Sequence, residues 1–109
     1  MILQEIFLIL CVSIGLLLPT LGAAQRLNVT LLGAGAPDPS IDRFGPSTLV
    51  EAGSEKLLFD AGRGVSQRLW QLHMPLGQVN VLFLTHLHSD HTVGIPDLWL
   101  TGWPCARKN

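Results

Sequence analysis

Six consecutive residues, His86-Leu87-His88-Ser89-Asp90-His91, place three imidazoles and a carboxylate directly behind the apolar run Val81-Leu82-Phe83-Leu84-Thr85. Imidazole nitrogen and carboxylate oxygen are the ligands that zinc and its first-row neighbours accept. If residues 81–85 form a buried strand, His86 and His88 leave its end two residues apart, and their side chains point to the same side. Asp90 and His91 then follow a turn and face a second metal from the opposite side of the loop. One loop can thereby feed two adjacent ions. Loop histidines that bind nothing are the competing reading, and the combination of ligand type and spacing favours the metal.

The remainder of the 109-residue chain is read against that loop. A hydrophobic fraction of 48% and a formal charge of −1 fit one small domain and give no electrostatic footprint for nucleic acid. Residues 1–24 stand apart. Residues 6–18 are an apolar run closed by Pro19, and Thr20-Leu21-Gly22-Ala23-Ala24-Gln25 supplies the small residues that signal peptidase needs. A membrane-spanning helix wants about twenty apolar residues, so the expectation is an export signal cut after Ala23 or Ala24, with an uncleaved anchor as the alternative. Membrane contact is then confined to this leader, and the protein is periplasmic or secreted. Cleavage removes Glu5 and Cys11 and leaves Cys105 without an internal partner.

Residues 27–32 read as a first strand ending at Gly33. Gly33-Ala34-Gly35 lacks a third glycine, and Pro37 and Pro39 follow at once, which excludes a dinucleotide-binding turn and leaves a loop bordering the active cleft. The loop of residues 34–46 also reads as a linker candidate. Residues 48–52 and 56–59 are short strands joined by the turn Gly53-Ser54-Glu55. Val65, Leu69 and Leu72 recur at helical spacing, which predicts an amphipathic helix over 65–73 with Arg68 and Gln71 on its wet side, ended by Pro75 and Gly77. His73 falls in its last turn as a structural residue, and Arg63 and Arg68 are expected to be solvated. Residues 79–85 form the next strand, apolar enough to be buried on both faces. Leu98-Trp99-Leu100 begins a helix that Thr101-Gly102-Trp103-Pro104 breaks. Trp99 and Trp103 are candidates for a substrate pocket, with core packing the commoner fate.

The sequence resembles the metallo-β-lactamase superfamily, in its ribonuclease Z and arylsulfatase-like branch. The pieces that carry the likeness are Leu31-Leu32-Gly33-Ala34-Gly35-Ala36-Pro37, Arg43 with Ser47, Leu57-Leu58-Phe59-Asp60-Ala61-Gly62, Phe83-Leu84-Thr85 with the histidine loop, and Gly94-Ile95-Pro96. The resemblance implies an α+β fold, a four-layer αββα sandwich with metals at one edge, of which residues 25–109 hold the amino-terminal half. It implies that His86 and His88 bind a first zinc and that Asp90 and His91 bind a second, with manganese or iron as alternative ions. Asp60 would accept a hydrogen bond and hold a ligand in place, its competing reading being a cap or turn aspartate. The implied activity is hydrolysis of a sulfate ester or phosphodiester by metal-activated water, which Asp90 would also orient.

The likeness also defines what is absent. A complete member adds a third histidine for the first zinc, a bridging aspartate, and a last histidine for the second, and residues 92–109 contain no histidine. A catalytic zinc ordinarily takes three protein ligands. The chain is therefore expected to be a truncated gene product or fragment, inactive and poorly stable alone, whose partners are a small-molecule ester and the missing carboxy-terminal half. The alternative is a noncatalytic metal-binding remnant. Ser89, where ribonuclease Z usually has glycine, and the export signal lean toward the arylsulfatase-like members and away from nucleic acid. Oligomeric state is not set by the sequence.

Overall fold

The computed structural model describes residues 1–6 and 26–106, the last four as backbone only. The apolar leader beyond Ile6, its junction at Ala23 or Ala24, and the side chains of Trp103 and Cys105 lie outside the described residues. No described helix is long and apolar enough to cross a membrane.

Four strands form one sheet in the order β1-β2-β3-β4: β1 (Leu27–Gly33), β2 (Ser47–Ala52), β3 (Glu55–Phe59) and β4 (Val81–Phe83). The first three are antiparallel neighbours, and β4 runs parallel to β3. The β2–β3 hairpin pairs Ala52 with Glu55, so its loop is Gly53-Ser54 alone, with Gly53 at φ 61°. A two-residue hairpin turn needs positive φ, and glycine takes it without steric cost.

A parallel pair requires a crossover. It is supplied by helix α1 (Val65–Gln71) and a 3-10 turn (Leu76–Gln78). Helix α2 (Ser89–Thr92) carries the end of the histidine loop, and α3 (Ile95–Ala106) follows it. The core lies on one face of the sheet, where Leu32, Leu49 and Leu58 meet Ala61, Val65, Leu69, Met74, Leu76 and Leu98. Alternate residues of the same strands point the other way. Along the observed register these are Leu27, Val29 and Leu31, then Val50, Leu57 and Phe59, then Val81 and Phe83. This second face is apolar yet open: Val29 is 63% and Leu31 66% exposed.

Several expectations are corrected. The strand predicted over 79–85, buried on both faces, is only Val81–Phe83, with Val81 and Phe83 each more than 40% exposed. It lies at the border of the described sheet, and only Leu82 turns toward the core. Helix α1 stops at Gln71, and Leu72 is 46% exposed rather than buried. His73 lies beyond the helix at φ 56°, in the left-handed position that usually terminates helices, and not in the last turn. Arg68 is not a solvated charge. Its guanidinium stacks 4.5 Å from the Phe44 ring centroid and donates to the Gln71 side chain and the Asp42 carbonyl. Arg63 does remain exposed, reaching the Pro37 carbonyl at 3.4 Å. Helix α3 begins at Ile95 and is not broken by residues 101–104. Gly102 sits inside it, facing the Leu76-Gly77 backbone at ordinary van der Waals distance.

Residues 34–46 are not a linker. The Ala34 and Gly35 amides donate to the Arg43 and Phe44 carbonyls, folding the loop onto itself. The Gly45 amide donates to Arg63 at 2.8 Å and the Gly62 amide to Pro46 at 3.0 Å, tying the loop to the corner after β3.

Candidate metal centre

That corner positions the histidine loop. Residue 60 ends β3's run at φ 62°, a conformation in which aspartate is enriched among residues other than glycine. Its amide donates to the Phe83 carbonyl at 2.8 Å, so β3 and β4 finish side by side. The Ala61 amide then donates to His91, and the Gly94 amide returns to Ala61, both at 2.8 Å. The contact is close. A Cβ built on Gly62 would stand 2.7 Å from the Asp90 carbonyl oxygen, and one on Gly94 would stand 2.9 Å from that of Ala61. Glycine at both positions lets two backbones approach where no side chain fits.

The Asp60 carboxylate, its side chain 9% exposed, is the hub. Oδ1 accepts the Thr85 amide at 2.8 Å. Oδ2 accepts the Thr85 hydroxyl at 2.8 Å and faces His91 Nδ1 at 2.8 Å. Burial pushes its pKa up, but the Thr85 amide, His91 and the Thr85 hydroxyl together outweigh that and hold it below the ordinary carboxylate value. An ionised carboxylate only accepts, so His91 Nδ1 carries a proton, and in the neutral ring Nε2 is bare.

The side chains of the loop are brought together. His86 Nε2 lies 3.1 Å from His88 Nδ1, as expected from their spacing. His91 Nε2 lies 3.6 Å from Asp90 Oδ2, too long for a hydrogen bond. The two pairs do not occupy opposite sides of the loop. The His86 and His91 rings are 3.9 Å apart between centroids, so one cluster holds both. The cause is α2, whose first turn swings residues 90 and 91 back over His86. Among the described residues no set of three or more His, Cys, Asp or Glu side chains converges on one point as a finished metal cage.

The donor set fits a metal pair by pair. Two nitrogen or oxygen donors bound to one zinc at about 2.0–2.2 Å with a tetrahedral angle stand roughly 3.3–3.5 Å apart. The observed separations are 3.1 Å, a hydrogen bond while no ion is bound, and 3.6 Å, both within about 0.3 Å of that range. His91 also shows the usual arrangement of a ligating imidazole, with its far nitrogen held by a carboxylate.

Thr85 is absent from the sequence reading of the site, where it is only the last residue of a strand. The available signal was a lone hydroxyl closing an apolar run, directly against the first histidine. Trp99 lines a groove with Leu76, Val79, Leu82, Ile95 and Leu98, and none of the metal-loop side chains borders it.

Comparison with known proteins places this geometry. The family described as Anti-Pycsar protein Apyc1 matches residues 27–104. The ribonuclease Z of Mycolicibacterium gilvum (strain PYR-GCK) is 49% identical over 77 residues, which cover 71% of this chain and 27% of that protein. The ribonuclease Z of Mycobacterium bovis (strain BCG / Pasteur 1173P2) is 48% identical, with 71% and 28% covered. Among solved structures, the short form of human tRNase Z superposes with a TM-score of 0.65 at 36% identity, over 71% of this chain and 29% of that one. The metallo-β-lactamase fold protein YhfI of Bacillus subtilis gives 0.66 at 25%, over 73% and 32%. The chain thus spans little more than a quarter of the length of these curated relatives.

Proposed function

The chain belongs to the family described as Anti-Pycsar protein Apyc1, within the metallo-β-lactamase superfamily and its ribonuclease Z branch, and from that premise we propose that it carries the histidine-bearing half of a metal-dependent phosphodiester hydrolase. The observation that carries the reading is the pair of donor sets, His86 with His88 and Asp90 with His91, held in one cluster above Asp60. His86 and His88 would hold one ion, and Asp90 and His91 the second. Ions held by these residues would supply Lewis acidity toward an ester and toward water. The chain's own residues do the positioning. Asp60 holds the His91 proton on Nδ1, α2 sets Asp90 beside His91 Nε2, and the Gly62 corner fixes their distance from His86.

Zinc is the ion this donor set favours, with manganese or iron compatible. A phosphodiester is preferred to a sulfate ester because the relatives at 48–49% identity are named ribonuclease Z. The near-neutral charge supports recognition at the ester itself rather than along an extended nucleic-acid backbone. Two ligands per ion and a coverage of 27% support a further requirement, namely a carboxy-terminal part that supplies the remaining ligands. Export through the apolar leader belongs to the same proposal.

The test combines this chain with the carboxy-terminal remainder of the M. gilvum ribonuclease Z. The pair is expected to bind zinc and cleave bis(4-nitrophenyl) phosphate in preference to 4-nitrophenyl sulfate, and to lose the activity with a chelator or with His86→Ala. Zinc binding that is indifferent to His86→Ala and His88→Ala would overturn the assignment.

A further inference from the structure

The hydrogen-bond chain at the loop does not end at Asp60. The Thr85 hydroxyl donates to Asp60 Oδ2 at 2.8 Å, and the same oxygen lies 3.1 Å from His86 Nδ1. A hydroxyl has one proton. With that proton committed to the carboxylate, Thr85 Oγ1 can only accept from His86, so His86 Nδ1 carries a proton and, in the neutral ring, Nε2 is bare. Nε2 is the atom that faces His88. Asp60 Oδ2 meanwhile accepts from His91 Nδ1 and leaves that ring's Nε2 bare too. The Thr85 backbone amide is held separately on Asp60 Oδ1, so the hydroxyl is not needed to anchor the strand end.

We propose that Thr85 is a positioning residue whose hydroxyl extends the reach of Asp60 to His86, so that one buried carboxylate sets the tautomer of both imidazoles. The inference deepens the metal-site reading, since a bare Nε2 on each ring is what an incoming cation requires. The proton arrangement itself exists without any ion. His86 touches no carboxylate directly, and the Thr85 oxygen is the sole acceptor at its Nδ1 among the described contacts.

The test uses the metal-free 109-residue chain labelled with nitrogen-15 at histidine. Long-range proton–nitrogen spectra report which ring nitrogen carries hydrogen. In the parent chain His86 and His91 are expected as the Nδ1–H tautomer. Thr85→Val removes the hydroxyl at nearly constant shape, and is expected to shift His86 toward the other tautomer while leaving His91 unchanged. Thr85→Ser restores the hydroxyl and is expected to restore His86. Zinc titration should then show about a tenfold or greater loss of affinity in Thr85→Val, recovered in Thr85→Ser. Equal His86 tautomer populations in the parent and Thr85→Val would overturn the proposal, as would loss of the Nδ1–H form in a folded Thr85→Ser chain. If the tautomers respond as stated but zinc binds neither the parent chain nor its pair with the carboxy-terminal remainder of the M. gilvum ribonuclease Z, the relay stands and the metal reading fails.

Discussion

At the scale of the residue, Asp60 does the most with the least. It is a buried carboxylate, in a left-handed backbone conformation, that gathers the end of β4 and the last histidine of the loop onto two oxygens. Asp60→Ala would leave the Thr85 amide and His91 Nδ1 without acceptors, at a cost of about 3 kcal/mol in a denaturant melt. Asp60→Asn keeps one acceptor but offers donors where His91 needs a carboxylate. It should cost less stability and still weaken zinc binding ~10–100-fold, measured by titration. If Asp60 only terminated a turn, the two variants would bind zinc alike. Asp60 was singled out by family likeness, whereas Thr85 went unnoticed because a hydroxyl's partners cannot be read from its neighbours in the chain.

At the scale of the element, the corner of residues 60–62 and helix α1 make separate demands. Gly62→Ala would drive a methyl group against backbone on two sides, the Asp90 carbonyl and Gly45, neither of which can rotate away. The expected result is a loss of about 1–3 kcal/mol together with weaker zinc binding, because the loop must move to admit the group. His73→Gly should do the opposite. His73 is exposed at φ 56°, and a glycine there relieves a left-handed strain of about 0.5–1 kcal/mol, visible as a higher melting temperature with zinc affinity unchanged. The strands and α1 were legible because their apolar residues repeat at periods of two and about 3.6. Their limits were not. Whether β4 runs three residues or seven depends on how many of its groups find partners on β3, and pairing is a property of two segments.

At the scale of the whole molecule, the two faces of the sheet differ. One is sealed by α1, α3 and the 3-10 turn, and Leu58→Ala there should cost about 2–5 kcal/mol. The other presents Leu27, Val29, Leu31, Val81 and Phe83 to solvent. Exposed apolar patches of this kind associate. The 109-residue chain should therefore bind an apolar fluorescent dye and sediment as concentration-dependent oligomers, and Val29→Lys with Leu31→Lys should suppress both without altering its far-ultraviolet dichroism. A monomeric parent chain that leaves the dye dark would show that this face is covered.

What the sequence by itself determined is chemistry and local period: the ligand types of the histidine loop, their order behind an apolar strand, the hairpin, and the class of fold those pieces resemble. These are legible because they depend on residue identity and on spacing of a few positions. What only the tertiary structure decided is convergence. Asp60 meets His91 across 31 positions and Thr85 across 25, and Arg68 leaves solvent for Phe44 and Asp42. The Asp60 contacts arise when the parallel pairing of β3 with β4 brings two distant chain segments to one end of the sheet, the Arg68 contacts when α1 packs against the loop of residues 34–46, and no local pattern encodes which atoms will then face each other.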